Sequence, residues 1–194
     1  ATACDYAGLE AATAGRQQGD PHPRTGGRRQ GGVPPRWSPS GVASVDEGSP
    51  GAAARHPPII MERMAAIDPK KNPYFEHAKV KLWIAYKDGN PVGRISAQID
   101  ELVSINHGIN TGHYGYFDCI NNKEVANALF DTACCWLREN GMIEVIGPFS
   151  LSINEETGLL VEGFDTPPML LMGHSRPYFE NLVLGTGLKK IKDT

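Results

Sequence analysis

The sequence predicts an α/β domain in which a mixed, mostly antiparallel sheet is served by one central crossover helix, with a disordered tail in front. Three observations carry this reading. Composition breaks near Arg55, two strands alternate on either side of a turn at residues 88–91, and a strand, a helix and a second strand follow one another across residues 114–146. The 194 residues suffice for one ordinary domain and not for two well-filled ones.

Residues 1–55 contain no Lys, Ile, Phe or Met, and their few larger apolar residues are scattered. Such a stretch buries too little apolar surface to offset the entropy of ordering it. It is expected to be disordered, either as a solvated tail or as a stretch foreign to the domain. Residues 56–194 are expected to fold. Over residues 79–87, Val80, Leu82, Ile84 and Tyr86 alternate with Lys79, Lys81, Trp83 and Lys87, which predicts a half-buried strand whose first set faces the core. Asp88-Gly89-Asn90-Pro91 supplies turn chemistry, and residues 92–100 alternate again, so the pair predicts an antiparallel hairpin. A short aromatic strand is expected at 114–119. Asn121, with Glu124 three residues on, resembles a capping box. The helix that follows places Val125, Leu129, Ala133, Trp136 and Leu137 at three- and four-residue spacing and ends at Gly141. A strand at 143–146 then makes the helix a crossover between parallel strands. A short helix near 177–184 and a last strand at 188–192 complete the reading.

A net charge of −3 and a pI of about 6.1 argue against a nucleic-acid or anionic-membrane partner. No stretch has the run of roughly 18 apolar residues that a membrane helix requires, so no transmembrane segment is expected and the protein is placed in the cytoplasm. Cys4, Cys119, Cys134 and Cys135 match no disulfide framework or zinc spacing, and the six histidines are scattered. Reduced thiols and no metal are expected. No Gly-x-Ser-x-Gly elbow, P-loop or dinucleotide fingerprint is present.

Three blocks carry a family resemblance: residues 68–78, Gly147-Pro148-Phe149-Ser150, and residues 154–168. Together with the element order, they resemble the bacterial ceramide synthase-like family, a group of GNAT-like acyl-CoA N-acyltransferases, over residues 56–193. The resemblance implies a GNAT-like fold, acyl-CoA or acetyl-CoA as co-substrate, and transfer of the acyl group to an amine, in this family a sphingoid base or similar lipid-like acceptor. It also implies a longer, two-lobed protein of which this chain is an incomplete half. The first strand and helix of the fold belong upstream of His56, where the tail offers no candidate, so an exposed sheet edge is expected. An alternative role is a non-catalytic lobe that supports a catalytic second half.

The same resemblance assigns candidate residues by position. Backbone groups of Phe117, Asp118 and Cys119 would pair with pantetheine, while Asn121, Asn122 and Lys123, at the start of the central helix, would hold the pyrophosphate. That stretch lacks the glycines that let phosphate approach a backbone, so a helix merely capped by Asn stands beside this reading. Acyl transfer to an amine needs a base and oxyanion donors. Glu155 and Glu156 are candidates for the base, because adjacent carboxylates raise one pKa toward neutrality. Asn154 is the candidate oxyanion donor and Tyr178 the candidate acid for the leaving thiolate. The competing reading makes the first three a loop network and Tyr178 a packing residue.

Overall fold

Asp88 and Gly89, at φ +51° and +77°, form the two-residue turn that sets the fold's hairpin. Paired positive φ values match the right-handed twist of the strands they join. In the computed structural model, which describes residues 10–13, 60–103, 110–167 and 172–193, this turn joins β2 (Ala78–Lys87) to β3 (Asn90–Asp100). Trp83 stands opposite Ile95 and Lys81 opposite Ala97, so these residues share one face. That pairing corrects the expected facing of β2. Trp83 and Ala85 are its most buried side chains on the helix side, and Trp83 meets Trp136 edge to face at 6.0 Å. Its large aromatic surface outweighs the lysines in its row. Val80, from the row expected to face the core, packs on the opposite side of the sheet with Tyr74, Ala78 and Leu151.

β4 (Thr111–Cys119) runs antiparallel to β3, and α2 (Lys123–Glu139) carries the chain across to β5 (Glu144–Ile146), which lies parallel to β4 through residues 111–113. The predicted crossover is therefore present. α2 buries Val125, Leu129, Phe130, Ala133 and Leu137 against Ile95, Ala97 and Ile99. Its end is closed by Gly141 at φ +82°, with Met142 N–H donating to the Leu137 carbonyl and Gly141 N–H to that of Arg138. These two bonds form a Schellman closure, which needs a residue at positive φ.

The short helix α1 (Ile60–Ala66) precedes the hairpin, a 3₁₀ turn spans Pro73–Glu76, and α3 (Phe179–Gly185) packs beside α2. Cys119, Cys134 and Cys135 are free thiols. No helix among the described residues is long and apolar enough to cross a membrane. The result is a mixed α/β fold on a mostly antiparallel sheet in which β2, β3, β4 and β5 lie side by side in chain order.

Two expectations about the ends of the domain need correction. Glu10–Thr13, inside the expected disordered tail, forms β1 and pairs antiparallel along β2, so the edge of β2 is covered at residues 83–86. Any extended segment can satisfy the open N–H and C=O groups of a sheet edge, whatever its side chains. The rest of that tail lies outside the described residues. The strand expected at 188–192 is absent: Leu188 touches the core, whereas Ile191 is 72% exposed. These residues lack the alternation that would present one apolar face to a sheet.

Candidate active site

β4 carries an irregularity that organises the face opposite α2. Gly115 stands opposite Ser96 and Asp118 opposite Arg94, so Tyr116 and Phe117 together face the single residue Ile95. This is a β-bulge, with Tyr116 at φ +47°. Phe117 turns toward the helix side, where its ring meets Phe130 and Phe179 at 4.9 and 5.3 Å. Tyr116 joins Tyr74 and Leu151 on the other side.

Residues 147–157 fold back over this second face. Phe149 N–H donates to the Tyr114 carbonyl, and Ser150 N–H donates to that of Glu156. Underneath, the fully buried Gln98 donates its amide to the carbonyls of Phe149 (2.6 Å) and Leu151 (3.1 Å) and accepts from the Ser96 hydroxyl. A buried carboxamide with its bonds satisfied fixes the loop in one place. The loop in turn fixes Glu155 and Glu156.

Around these glutamates the structure gathers Arg63 of α1, Arg94, Tyr116 and Asp118. Arg63 pairs with Glu156 and also bonds Tyr116, while Arg94 pairs with Asp118 at 3.6 Å. Burial raises the Glu155 carboxyl above its ordinary value, against the opposing pull of a hydrogen bond from Asn72 and the nearby Arg63 charge. The Asn72 carboxamide also accepts from Tyr74 N–H and donates to the Ala66 carbonyl, so it ties α1, the 3₁₀ turn and Glu155 together. Burial pushes the Tyr116 phenol up to about 12, with Glu155 adding to the shift, so it remains a proton donor at neutral pH. A carboxyl raised by burial and a phenol that stays protonated are the group types that general acid–base chemistry uses.

The expected site residues divide between the two faces. Glu155 and Glu156 lie in the cluster, and Asp118 enters it through its side chain. Asn154 is exposed, its N–H directed to the Ser152 hydroxyl. Tyr178 belongs to the helix side, where its hydroxyl donates to the Cys119 carbonyl at 3.0 Å. Two groups expected to serve a thioester, the phenol and that carbonyl, thus engage each other. Cys119 is buried, and burial pushes its thiol up to about 12.

At the start of α2, the cap is Asn122 and not Asn121. Its side chain accepts from Glu124 and Val125 N–H, while Asn121 and Lys123 are exposed. The Asn122 side chain thus occupies the N–H groups of Glu124 and Val125. Asn122→Ala should destabilise the domain by about 1 kcal/mol, read as a lower midpoint in thermal or urea unfolding.

Arg63, Tyr116, Arg94 and Asn72 were not among the expected site residues. Arg63 and Glu156 are 93 residues apart, and no local pattern announces such a pair. The one local signal was Gly115 before Tyr116 inside an aromatic strand, since a glycine there marks a bulge or a close backbone approach.

Over 137 residues, 70% of its length, the chain is 50% identical to the protein named bacterial ceramide synthase of Caulobacter vibrioides, of which the match covers 36%. Over 123 residues it is 46% identical to Protein YghO of Escherichia coli, covering 31% of that protein. The chain therefore spans about a third of the length of these curated relatives. No family model matches it. No solved structure matches it either.

Proposed function

We propose that this chain is part of a GNAT-like N-acyltransferase that moves an acyl group from acyl-CoA to the amine of a sphingoid base. The observation that carries the reading is the 50% identity to a protein named for making ceramide, an N-acylated sphingoid base. The carboxylate and phenol cluster supports it, because amine acylation needs the groups found there. Glu155 takes the proton that the attacking amine loses as its nitrogen bonds to the thioester carbonyl carbon. The tetrahedral intermediate then collapses and the C–S bond breaks. The leaving thiolate gains a proton from Tyr116, which regains one from Glu155, so the carboxylate is free again. Arg94, paired with Asp118, supplies positive charge on the same face, suited to the oxyanion.

A second reading is favoured by one observation, the closed N-terminus of α2. In that reading the chain is a supporting lobe and the thioester binds elsewhere in a longer protein. Calorimetric titration of the chain with a long-chain acyl-CoA separates the two. The first reading expects saturable binding. A folded sample that takes up no acyl-CoA selects the second.

A further inference from the structure

An aliphatic amine is almost wholly an ammonium at neutral pH, as the ordinary lysine value of about 10.4 shows. Such a nitrogen has no lone pair, so it must lose one proton before it can attack a carbonyl carbon and a second as the new bond forms. In the reaction proposed above, Glu155 and Tyr116 carry the second proton to the leaving thiolate. The first needs another base, one within reach of solvent.

His77 has the geometry of such a base. It closes the 3₁₀ turn at the start of β2, and its Nδ1 lies 3.0 Å from Oδ1 of Asp100, the last residue of β3. A carboxylate oxygen only accepts, so Nδ1 is the donor and Nε2 keeps the lone pair. Both partners are pinned. Asp100 Oδ1 also accepts from Leu102 N–H at 2.9 Å, while His77 N–H donates to the Tyr74 carbonyl and the His77 carbonyl accepts from Glu101 N–H. The imidazole meets the Tyr74 ring edge to face at 5.3 Å. No hydrogen bond among the described residues takes Nε2, and the side chain is 33% exposed. The other described histidines are committed elsewhere: His113 packs its ring on Phe149 at 5.1 Å, and His174 Nε2 meets the Thr166 carbonyl. The same turn leads to the glutamates. Asn72, at its start, bonds Glu155. Between the two ends, burial raises the Tyr74 phenol, and the charges of Asp100 and Glu155 both add to the shift.

We propose that His77, held by Asp100, is a further catalytic residue, whose Nε2 takes the first proton from the substrate ammonium before the neutral amine reaches Glu155. At about 2 Å per residue the turn separates the two bases by roughly 10 Å, so an incoming amine meets them in succession. The step balances. An N–H bond of the ammonium breaks, Nε2 gains the proton, and the imidazolium, stabilised by the Asp100 charge, returns it to water. This inference rests on the amine-acylation reading.

The test measures thiol release from a long-chain acyl-CoA with two acceptors, n-octylamine, an ammonium at neutral pH, and O-octylhydroxylamine, which is neutral there. His77→Gln should lower transfer to octylamine about 10²-fold and leave transfer to O-octylhydroxylamine near the wild-type rate. Asp100→Asn, which keeps an oxygen for Leu102 N–H but removes the charge behind the ring, should show the same split. Glu155→Gln should lower both. Loss with both acceptors in His77→Gln, or with neither, would overturn the role of His77 and leave the acyltransferase reading standing. A wild type that acylates neither acceptor would overturn both. Should the variants fail to fold, long-range nitrogen–proton NMR of the wild type reads the ring directly. The neutral ring should carry its proton on Nδ1; a proton on Nε2 instead would overturn the proposal.

Discussion

Gly115→Ala should unseat the loop that carries the glutamates and lower the thermal midpoint of the domain by on the order of 10–20 °C. A methyl on Gly115 would overlap the Phe149 carbonyl oxygen and lie 2.6 Å from the carbonyl carbon. Both are backbone atoms, so no rotamer change relieves the clash. The loop must lift, and then Phe149 N–H loses the Tyr114 carbonyl, Leu151 loses its burial, and the Gln98 amide is left without acceptors. Overpacking typically costs about 1–3 kcal/mol. A buried amide left unsatisfied adds about 1–3 kcal/mol more. A midpoint within about 2 °C of the wild type would show that residues 147–157 are not seated on β4 as described.

Glu155→Gln should separate activity from stability. In the proposed mechanism Glu155 must be ionised to accept the amine proton, and its replacement should then lower kcat by roughly 10²–10⁴-fold. Because burial raises its carboxyl, the acidic limb of the wild-type pH–rate profile should lie above the ordinary glutamate value of 4.5, and the limb should vanish in Glu155→Gln. The stability effect has the opposite sign. A raised carboxyl binds its proton more tightly when folded, so its contribution is present below about 4.5 and is lost as the pH rises through the folded value. At neutral pH the neutral glutamine should therefore leave the midpoint unchanged or slightly higher. A variant that melts early and loses activity only in proportion would mark Glu155 as a structural residue.

The contrast between these two positions shows where the sequence was informative. The hairpin and the end of α2 were legible because local chemistry decides them: Asp88-Gly89 takes paired positive φ, and Gly141 closes a Schellman motif. Period-two counting misjudged β2 because it weighed the lysines in the Trp83 row and not the area of Trp83 itself. The helix cap was placed one residue early, since adjacent asparagines offer the same side chain and only backbone geometry selects Asn122. β1 was invisible, because Glu-Ala-Ala-Thr has no strand character of its own and is held by the edge it meets. Of the site, the adjacent glutamates could be found locally. Arg63, Arg94 and Tyr116 reach them only through tertiary packing and a bulge, and Tyr178, assigned by position in a fold, lies on the other face.

The most direct measurement is thiol release when the chain is mixed with a long-chain acyl-CoA and a sphingoid base, in parallel for the wild type and Glu155→Gln. Amine-dependent release by the wild type, lowered at least about 100-fold by the substitution, is the result expected of an N-acyltransferase that uses Glu155 as its base. Release that does not depend on the amine, or that Glu155→Gln leaves intact, would contradict it.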